Sequence, residues 1–489
     1  MIYEEKSILP IVGLEECDVD LLWEEVRKVS YPHLNEKAEH RFRPVLDHRV
    51  KTVAVERHYI DKDYRDTFSH YHSKRFSTPF SRCIRLHFFS ESYQRDDFLN
   101  SKSVQEGYLG YSVIRPTRPN AVGRTLIAPD HHLLGEADIS MTEECVCLLG
   151  CRLKVKGFPF ISQDADVTVC AQSALWMLCR YFSDRYSIYA ETGPYQIGQL
   201  TTDYSIGRMY PSSGLQMWQM SEALKRFGFH PLIYNRDNYP SDEFERLLYT
   251  YIESGLPSLI GVPNHVIVGY GHHSDFKKSM SSDEENRIFS SKFNDAFIVS
   301  DDNAFPYQAL MRQGGQFPQS RLSFTDIDSF VVPLPEKVFL PAEAAQAGIQ
   351  RVLKEFRPMS AMFADKPMIM RTFLTSVRSF KEHVLGRGMG NPVVLEAYRQ
   401  LPMPHFVWVC EFSTLSDYPD QVWGELVWDA TRNAHEPGGW IALHFPEFCF
   451  IDIGSALNGV QEIRQIPLQN SESYPIFVSN LERMNDNLC

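Results

Sequence analysis

The sequence predicts an α+β protein: a helix carrying a cysteine at its head, packed on an antiparallel sheet that carries a histidine and an aspartate, with mixed α/β regions on either side. Three observations predict this. After Cys170, apolar residues fall at 174, 175, 178, 181 and 182, the spacing of one helix face. Three short apolar runs then follow one another, "LPSLIGV", "NHVIVGYG" and "NDAFIVSDD", and read as strands. Four more strand-like runs crowd the C-terminal part: "HFVWVCEFS" (405–413), "WGELVWDAT" (423–431), "GGWIALHF" (438–445) and "EFCFIDIG" (447–454).

A length of 489 residues suggests two to four domains or one large composite body. Changes of character divide the chain into 1–155, 156–335 and 336–489, the last read as packing back on the first rather than folding alone. In the first region, "DVDLLWEEVRKVSY" (18–31) is amphipathic, with Asp18 or Asp20 near its cap. "RCIRLHFFS" (82–90) and "GYLGYSVIRP" (107–116) read as strands, and 144–160 as a strand pair turning at Gly150. In the second region the Cys170 helix (170–183) is followed by a polar loop. A helix over 213–228 stopping at Gly228, a strand over 229–234 and a helix over 241–255 come next. The charged, Ser-rich stretch 272–293 reads as a long surface loop. In the third region 341–356 and 367–388 read as helices, and the basic residues of 370–383 as a solvated face.

Composition excludes several classes. Apolar residues make up 43% and aromatics 13%, ample for packed cores. The formal charge is −13, from 49 basic and 62 acidic residues, which opposes general nucleic-acid binding. The N-terminal stretch carries acids where a signal peptide needs basic residues, and no run approaches the ~20 apolar residues that span a bilayer. Ten cysteines in this setting read as reduced thiols of a cytoplasmic protein. No phosphate-binding loop is present, so no cofactor is expected. "CVCLLGC" (145–151) lacks the spacing of common zinc sites and reads as strand alternation, so no metal is expected. The pairs in "DHH" (130–132) and "GHHSD" (271–275) read as solvated loops.

The chemistry-bearing set lies in the middle region. Nucleophilic thiol catalysis needs a thiolate, a base in hydrogen-bond reach and a donor for the developing oxyanion. Cys170 opens a helix, whose amides and dipole favour an anion. Gln163, seven positions upstream, is close enough to fold back and donate its amide. His265 follows the turn pair "PN" at the head of an apolar strand, and Asp301 closes the next strand, where it can orient an imidazole. Asp302, or even Asn303, is an alternative to Asp301, which is preferred because it directly ends the strand. Cys179, on the same helix, reads as packing.

This order, Gln163, Cys170, His265 in "HVIVGYG" and Asp301 in "FIVSDD", resembles the papain-like cysteine peptidases, most closely the bacteriocin-processing (double-glycine leader) peptidase domains of bacterial exporters and their intracellular relatives. The resemblance spans about 175 residues, 156–330. It departs from that family in Ala171, where Gly or Trp is usual, and in a Gln–Cys spacing one residue longer. It implies a papain-like core and a cytoplasmic thiol protease cleaving a peptide or isopeptide bond. In it Cys170 attacks, His265 carries the proton, Asp301 orients His265, and Gln163 helps bind the oxyanion. The expected partner is a protein or peptide substrate, with the flanks or a further partner as restraint. The same thioester chemistry serves deamidation and transamidation, and an inert scaffold that presents its flanks to a partner is the non-enzymatic alternative.

Overall fold

The computed structural model describes residues 9–13, 18–117, 121–164, 166–200, 214–312, 319–386, 392–436, 438–454, 462–468, 472–478 and 480–484. The expectations for the N-terminal eight residues and for 201–213 of the polar loop lie outside the described residues; before that, Pro194–Leu200 of the same stretch is a short helix. The chain is mixed α and β. Its sheets are antiparallel except where Arg287–Phe289 runs parallel to Met368–Ser376 and Gln308–Met311 parallel to Gln319–Ser323.

The N-terminal sheet is a meander of five strands in sequence order, Ile11–Gly13, Thr52–Tyr59, Cys83–Phe89, Tyr108–Ile114 and Val122–Ile127. The helix Val19–Ser30 lies against it, and Asp18 caps that helix by accepting from the amides of Asp20 and Leu21. The expected hairpin is Thr142–Leu148 with Cys151–Gly157, turned by Leu149 and Gly150, both at positive φ (50° and 88°). Along it, Cys145 and Cys147 are exposed while Cys151 is buried and donates to the Phe98 carbonyl at 2.8 Å.

The middle sheet runs in the order Gln319–Ser323, Gln308–Met311, Asn294–Ser300, His265–Ser274, Ser258–Val262, Ser329–Val332, Leu232–Asn235. The helix Cys170–Arg185 packs against it with every residue from Ala171 to Phe182 buried. A helix buried on all sides belongs inside a core, and this one lies between the sheet and the N-terminal region, its buried Arg180 paired with Glu144 and Asp184. Cys179 is buried there, and that burial pushes its thiol far up.

Four sequence expectations are corrected. The stretch 272–293 is a surface loop only over 275–286. Its start continues the His265 strand, and Arg287–Phe289 crosses to become the edge strand of the C-terminal sheet. Ile288, Phe293 and Ile369 form a small core there with Phe276, Met280 and Tyr418, so the apolar minority of a charged stretch decides its fate. Residues 368–376 are a strand, not a helix, and only Val377–Gly386 is helical. "MIMRTFLTS" is almost wholly buried between two neighbours of the sheet, where its β-branched and aromatic residues fit better than its one basic residue, Arg371, suggests. The middle-region helix starts at Met217 rather than 213. The pair in 271–275 is not solvated, since His272 is buried against Glu253 and His273 binds Asp295 at 2.7 Å; in 130–132 Asp130 is buried, caps a short helix and contacts His48, while His132 stays exposed.

The C-terminal sheet adds Phe406–Ser413, Gly424–Asp429, Trp440–Phe445, Phe448–Asp452 and Ile463–Pro467 to these two strands. One apolar core includes Trp23, Trp176 and Trp408, one tryptophan from each of the three regions. A second core beneath the C-terminal sheet holds Phe380, Tyr398 and Phe477.

Candidate active site

The loop that delivers Cys170 is held by a buried aspartate. Asp164 accepts from the amides of Asp166, Val167 and Thr168 at 2.8–3.0 Å, and from the Thr168 hydroxyl at 3.0 Å. Arg115, buried just after a strand of the N-terminal sheet, binds Asp164 and the Thr168 hydroxyl at 3.2 Å each and also grips the Ser162 carbonyl. An N-terminal arginine therefore fixes the turn that ends at Cys170. The thiol sits half-buried at the first helical position, after Val169, which supplies no side-chain cap. The helix does not satisfy its own first amides through a side chain at the cap, so they and its dipole are available to an anion at this end.

His265 is set by a tight hairpin. Val262 pairs with His265 across Pro263 and Asn264, and Asn264 takes φ 58°, the sequence of a turn with Pro first and Asn in the left-handed position. Ser300 pairs with Val268 on the next strand, so the chain leaving that strand runs back toward His265. There His265 Nε2 lies 2.8 Å from Asp301 Oδ1 and 3.5 Å from Asp302 Oδ1. The Cys170 thiol lies close enough to the same ring to act on its charge, and both residues line one cleft. With Nε2 committed to Asp301, the nitrogen left for the thiol is Nδ1.

Electrostatics favour a charged imidazole. Burial lowers the His265 pKa, but the hydrogen bond to Asp301, the nearby Cys170 thiol and the charges of Asp301 and Asp302 outweigh it and raise it to about 10. The stability carried by this pair is therefore complete below the ordinary 6.5 of histidine and is lost as pH rises through about 10. Burial alone would raise Asp301, but His265 and the Asn303 amide, 2.9 Å away, hold it below the usual carboxylate range.

Asp302 behaves differently. It is 1% exposed, neither carboxylate oxygen has a well-formed hydrogen bond, and burial pushes it up to about 6 against the pull of His265. A raised carboxyl favours folding at low pH, and that advantage is lost as pH rises through about 6. Asp302→Asn is expected to raise stability by about 2–3 kcal/mol at pH 8, with the gain gone by pH ~4. Urea unfolding at the two pH values checks this, and a destabilised variant at pH 8 would contradict it.

The structure brings Cys170, His265, Asp301 and Asp302 together. It also brings in Gln163, but at the acid end: the Gln163 amide donates to the Asn303 carbonyl oxygen, and Asn303 Nδ2 lies 3.4 Å from His265 Nε2. That is the hydrogen bond the Gln163 side chain makes, and it is not to the thiol. Sequence reading missed Asp164 and Arg115, and also Arg41, a half-buried guanidinium on which the charges of Asp302 and Asp301 act. The signal for Asp164 was "DADVT", an aspartate ahead of its own turn. Nothing local marked the two arginines, which come from a separate region.

Beside the thiol opens a cleft of about 730 Å³. Leu215, Met217, Trp218 and Val262 line it with the amides of Gln216 and Asn264, and Asp328 contributes one carboxylate. Trp218 is 50% exposed there. His265, Asp301 and Asp302 offer three donor atoms within 4.8 Å of one another, a spacing that also suits a divalent cation. No helix among the described residues is long and apolar enough to cross a membrane. No protein-family model, no curated protein and no solved structure matches this chain.

Proposed function

We propose that this chain is a papain-like thiol hydrolase acting on an amide, most simply the peptide or isopeptide bond of a protein substrate. The observation that carries the reading is the pair formed by Cys170 at a helix head and His265, with Asp301 on the far nitrogen of that imidazole. Cys170 thiolate attacks the carbonyl carbon, forming an S–C bond. His265 gives its proton to the departing amine as the C–N bond breaks, leaving a thioester on Cys170. Water, deprotonated by His265, then cleaves the thioester and restores the thiol. Asp301 holds the ring and stabilises its charge. The amides at the start of the Cys170 helix serve as oxyanion donors in this scheme, and Gln163 positions Asn303. An open cleft with apolar and amide walls supports an extended peptide as substrate. With a side-chain amide as substrate, ammonia leaves as the thioester forms; water then completes a deamidation, and an amine attacking the thioester completes a transamidation. The cytoplasmic setting is part of the proposal and rests on thiol usage.

The test needs no known substrate. Chloroacetamide labelling across about pH 5–9, mapped by peptide mass spectrometry, is expected to modify Cys170 ahead of the other cysteines at the acid end, an advantage lost in His265→Ala. Labelling of Cys170 at the common rate, or unchanged by His265→Ala, would remove the support for a catalytic pair.

A second reading has one observation behind it, the His265–Asp301–Asp302 donor set. If a bound cation activates water there, a chelator abolishes turnover and Cys170→Ala keeps it, the reverse of the thiol scheme.

A further inference from the structure

On the other side of Asp301 from the thiol lies a second cavity, of about 650 Å³, between the N-terminal region and the middle sheet. Its charged and titratable groups are Glu36, Lys37, His40, Arg41, Asp301 and Arg321. Cys170 and His265 do not line it. Asp301 is already engaged by His265, and Glu36 is exposed at the mouth. Arg41 is the unusual member. It is half-buried, and among the described residues its guanidinium makes no hydrogen bond or ion pair. Burial holds it below its ordinary range, and Asp302 and Asp301 are the charges that act the other way.

A guanidinium withdrawn from water without a partner is costly, and its planar fork is matched to phosphate or carboxylate. Lys37 and Arg321 bring two further cations and Glu36 one opposing carboxylate, all three exposed at the rim; with Arg41, and with Asp301 paired to His265, two positive charges are left, which a doubly charged group balances better than a single carboxylate. Pro44, Phe305 and Leu322 supply apolar wall, which inorganic phosphate would leave unused. We infer that this cavity binds an organic phosphate, anchored by Arg41 and supported by Arg321 and Lys37. The phosphate becomes the counter-charge of Arg41 next to Asp301, and the site joins the N-terminal region to the middle region at the back of the candidate catalytic pair. The inference does not rest on the thiol reading, because the cavity does not contain the thiol.

The experiment is isothermal titration of the full chain with phenyl phosphate, inorganic phosphate and phenylacetate. Phenyl phosphate is expected to bind with a Kd of ~1 mM or tighter, and more tightly than either of the others. Arg41→Gln should weaken it at least about tenfold, and Arg41→Lys less so. Arg321→Gln, at an exposed position that carries no risk to folding, should weaken it severalfold. Cys170→Ala should bind as the parent does, which separates this result from the fate of the thiol proposal. Absence of phenyl phosphate binding at several times that concentration overturns the inference. So does unchanged affinity in both Arg41→Gln and Arg321→Gln, or a preference for phenylacetate or inorganic phosphate.

Discussion

Cys170→Ala is expected to lower the acylation of an activated ester such as 4-nitrophenyl acetate by roughly four to six orders of magnitude, with thermal stability unchanged to within about 1 kcal/mol. The size of the loss follows from the geometry. The thiol at the helix head is the group that forms the covalent bond in this scheme, and its half-buried side chain contributes little to the core. His265→Ala should cost nearly as much, because the thiol without its imidazole partner loses both its activation and the proton returned to the leaving group. The two act as one unit, so the double variant should be no slower than the worse single one. Asp301→Asn is expected to fall below the parent but above either, by about two to four orders of magnitude, since it removes orientation and charge rather than the reacting atoms. Full acylation by Cys170→Ala, or strictly additive losses in the double variant, would end the thiol mechanism.

Arg371→Ala is expected to destabilise the fold by about 3–5 kcal/mol in urea unfolding, the largest stability effect of any single side chain considered. Arg371 lies buried where the middle and C-terminal regions meet. It holds Glu253 through two nitrogens, Glu411 at 2.8 Å and the Phe477 carbonyl at 2.7 Å, and Glu253 in turn contacts His272. Truncating the arginine leaves two carboxylates in the core without their cation. Replacing all three by neutral residues of similar size (Arg371→Met with Glu253→Gln and Glu411→Gln) should cost much less than Arg371→Ala alone. The pH dependence has a definite sign. Burial would raise Glu253, but Arg371 and His272 overcome it and hold the carboxyl down to about 2, against an ordinary 4.5. Its contribution, about 3 kcal/mol, is present above pH 4.5 and is lost as pH falls toward 2. Glu411, with one cation instead of two partners, is pushed up by burial and opposes this at neutral pH. Arg371→Ala should therefore flatten the acid limb of the stability curve. A variant as stable as the parent at pH 7 would show that the cluster does not hold the two regions together.

The site residues were visible in the sequence wherever a local preference marked them. Cys170 heads a run with helical period, Pro263–Asn264 forms a turn that leaves His265 at the start of a strand, and Asp301 stands where an apolar run ends. Each signal is carried by neighbours a few residues apart, through turn geometry and the spacing of apolar side chains. The misread elements were those in which composition and burial disagree. Arg371 lent 368–376 a basic, helix-like character, yet the segment is a strand because two glutamates distant in sequence neutralise that charge inside the core. The charged stretch around Arg287 hid one buried isoleucine, and Ile288 is enough to seat a strand at the edge of another sheet.

By itself the sequence determined an α+β chain with a cysteine, a histidine and an aspartate each at the end of a regular element. Tertiary structure decided what those ends meet. It put Asp301 rather than Asp302 at hydrogen-bond distance from His265, turned Gln163 toward Asn303, fixed the Cys170 loop with Arg115, and set Arg41 behind the acid. The reason is one of range. Helix periods, caps and turns are fixed by interactions within a few residues. Which carboxylate reaches an imidazole, and which arginine comes to lie beside it, depends on how distant segments share one buried core, and no local pattern in the chain encodes that distance.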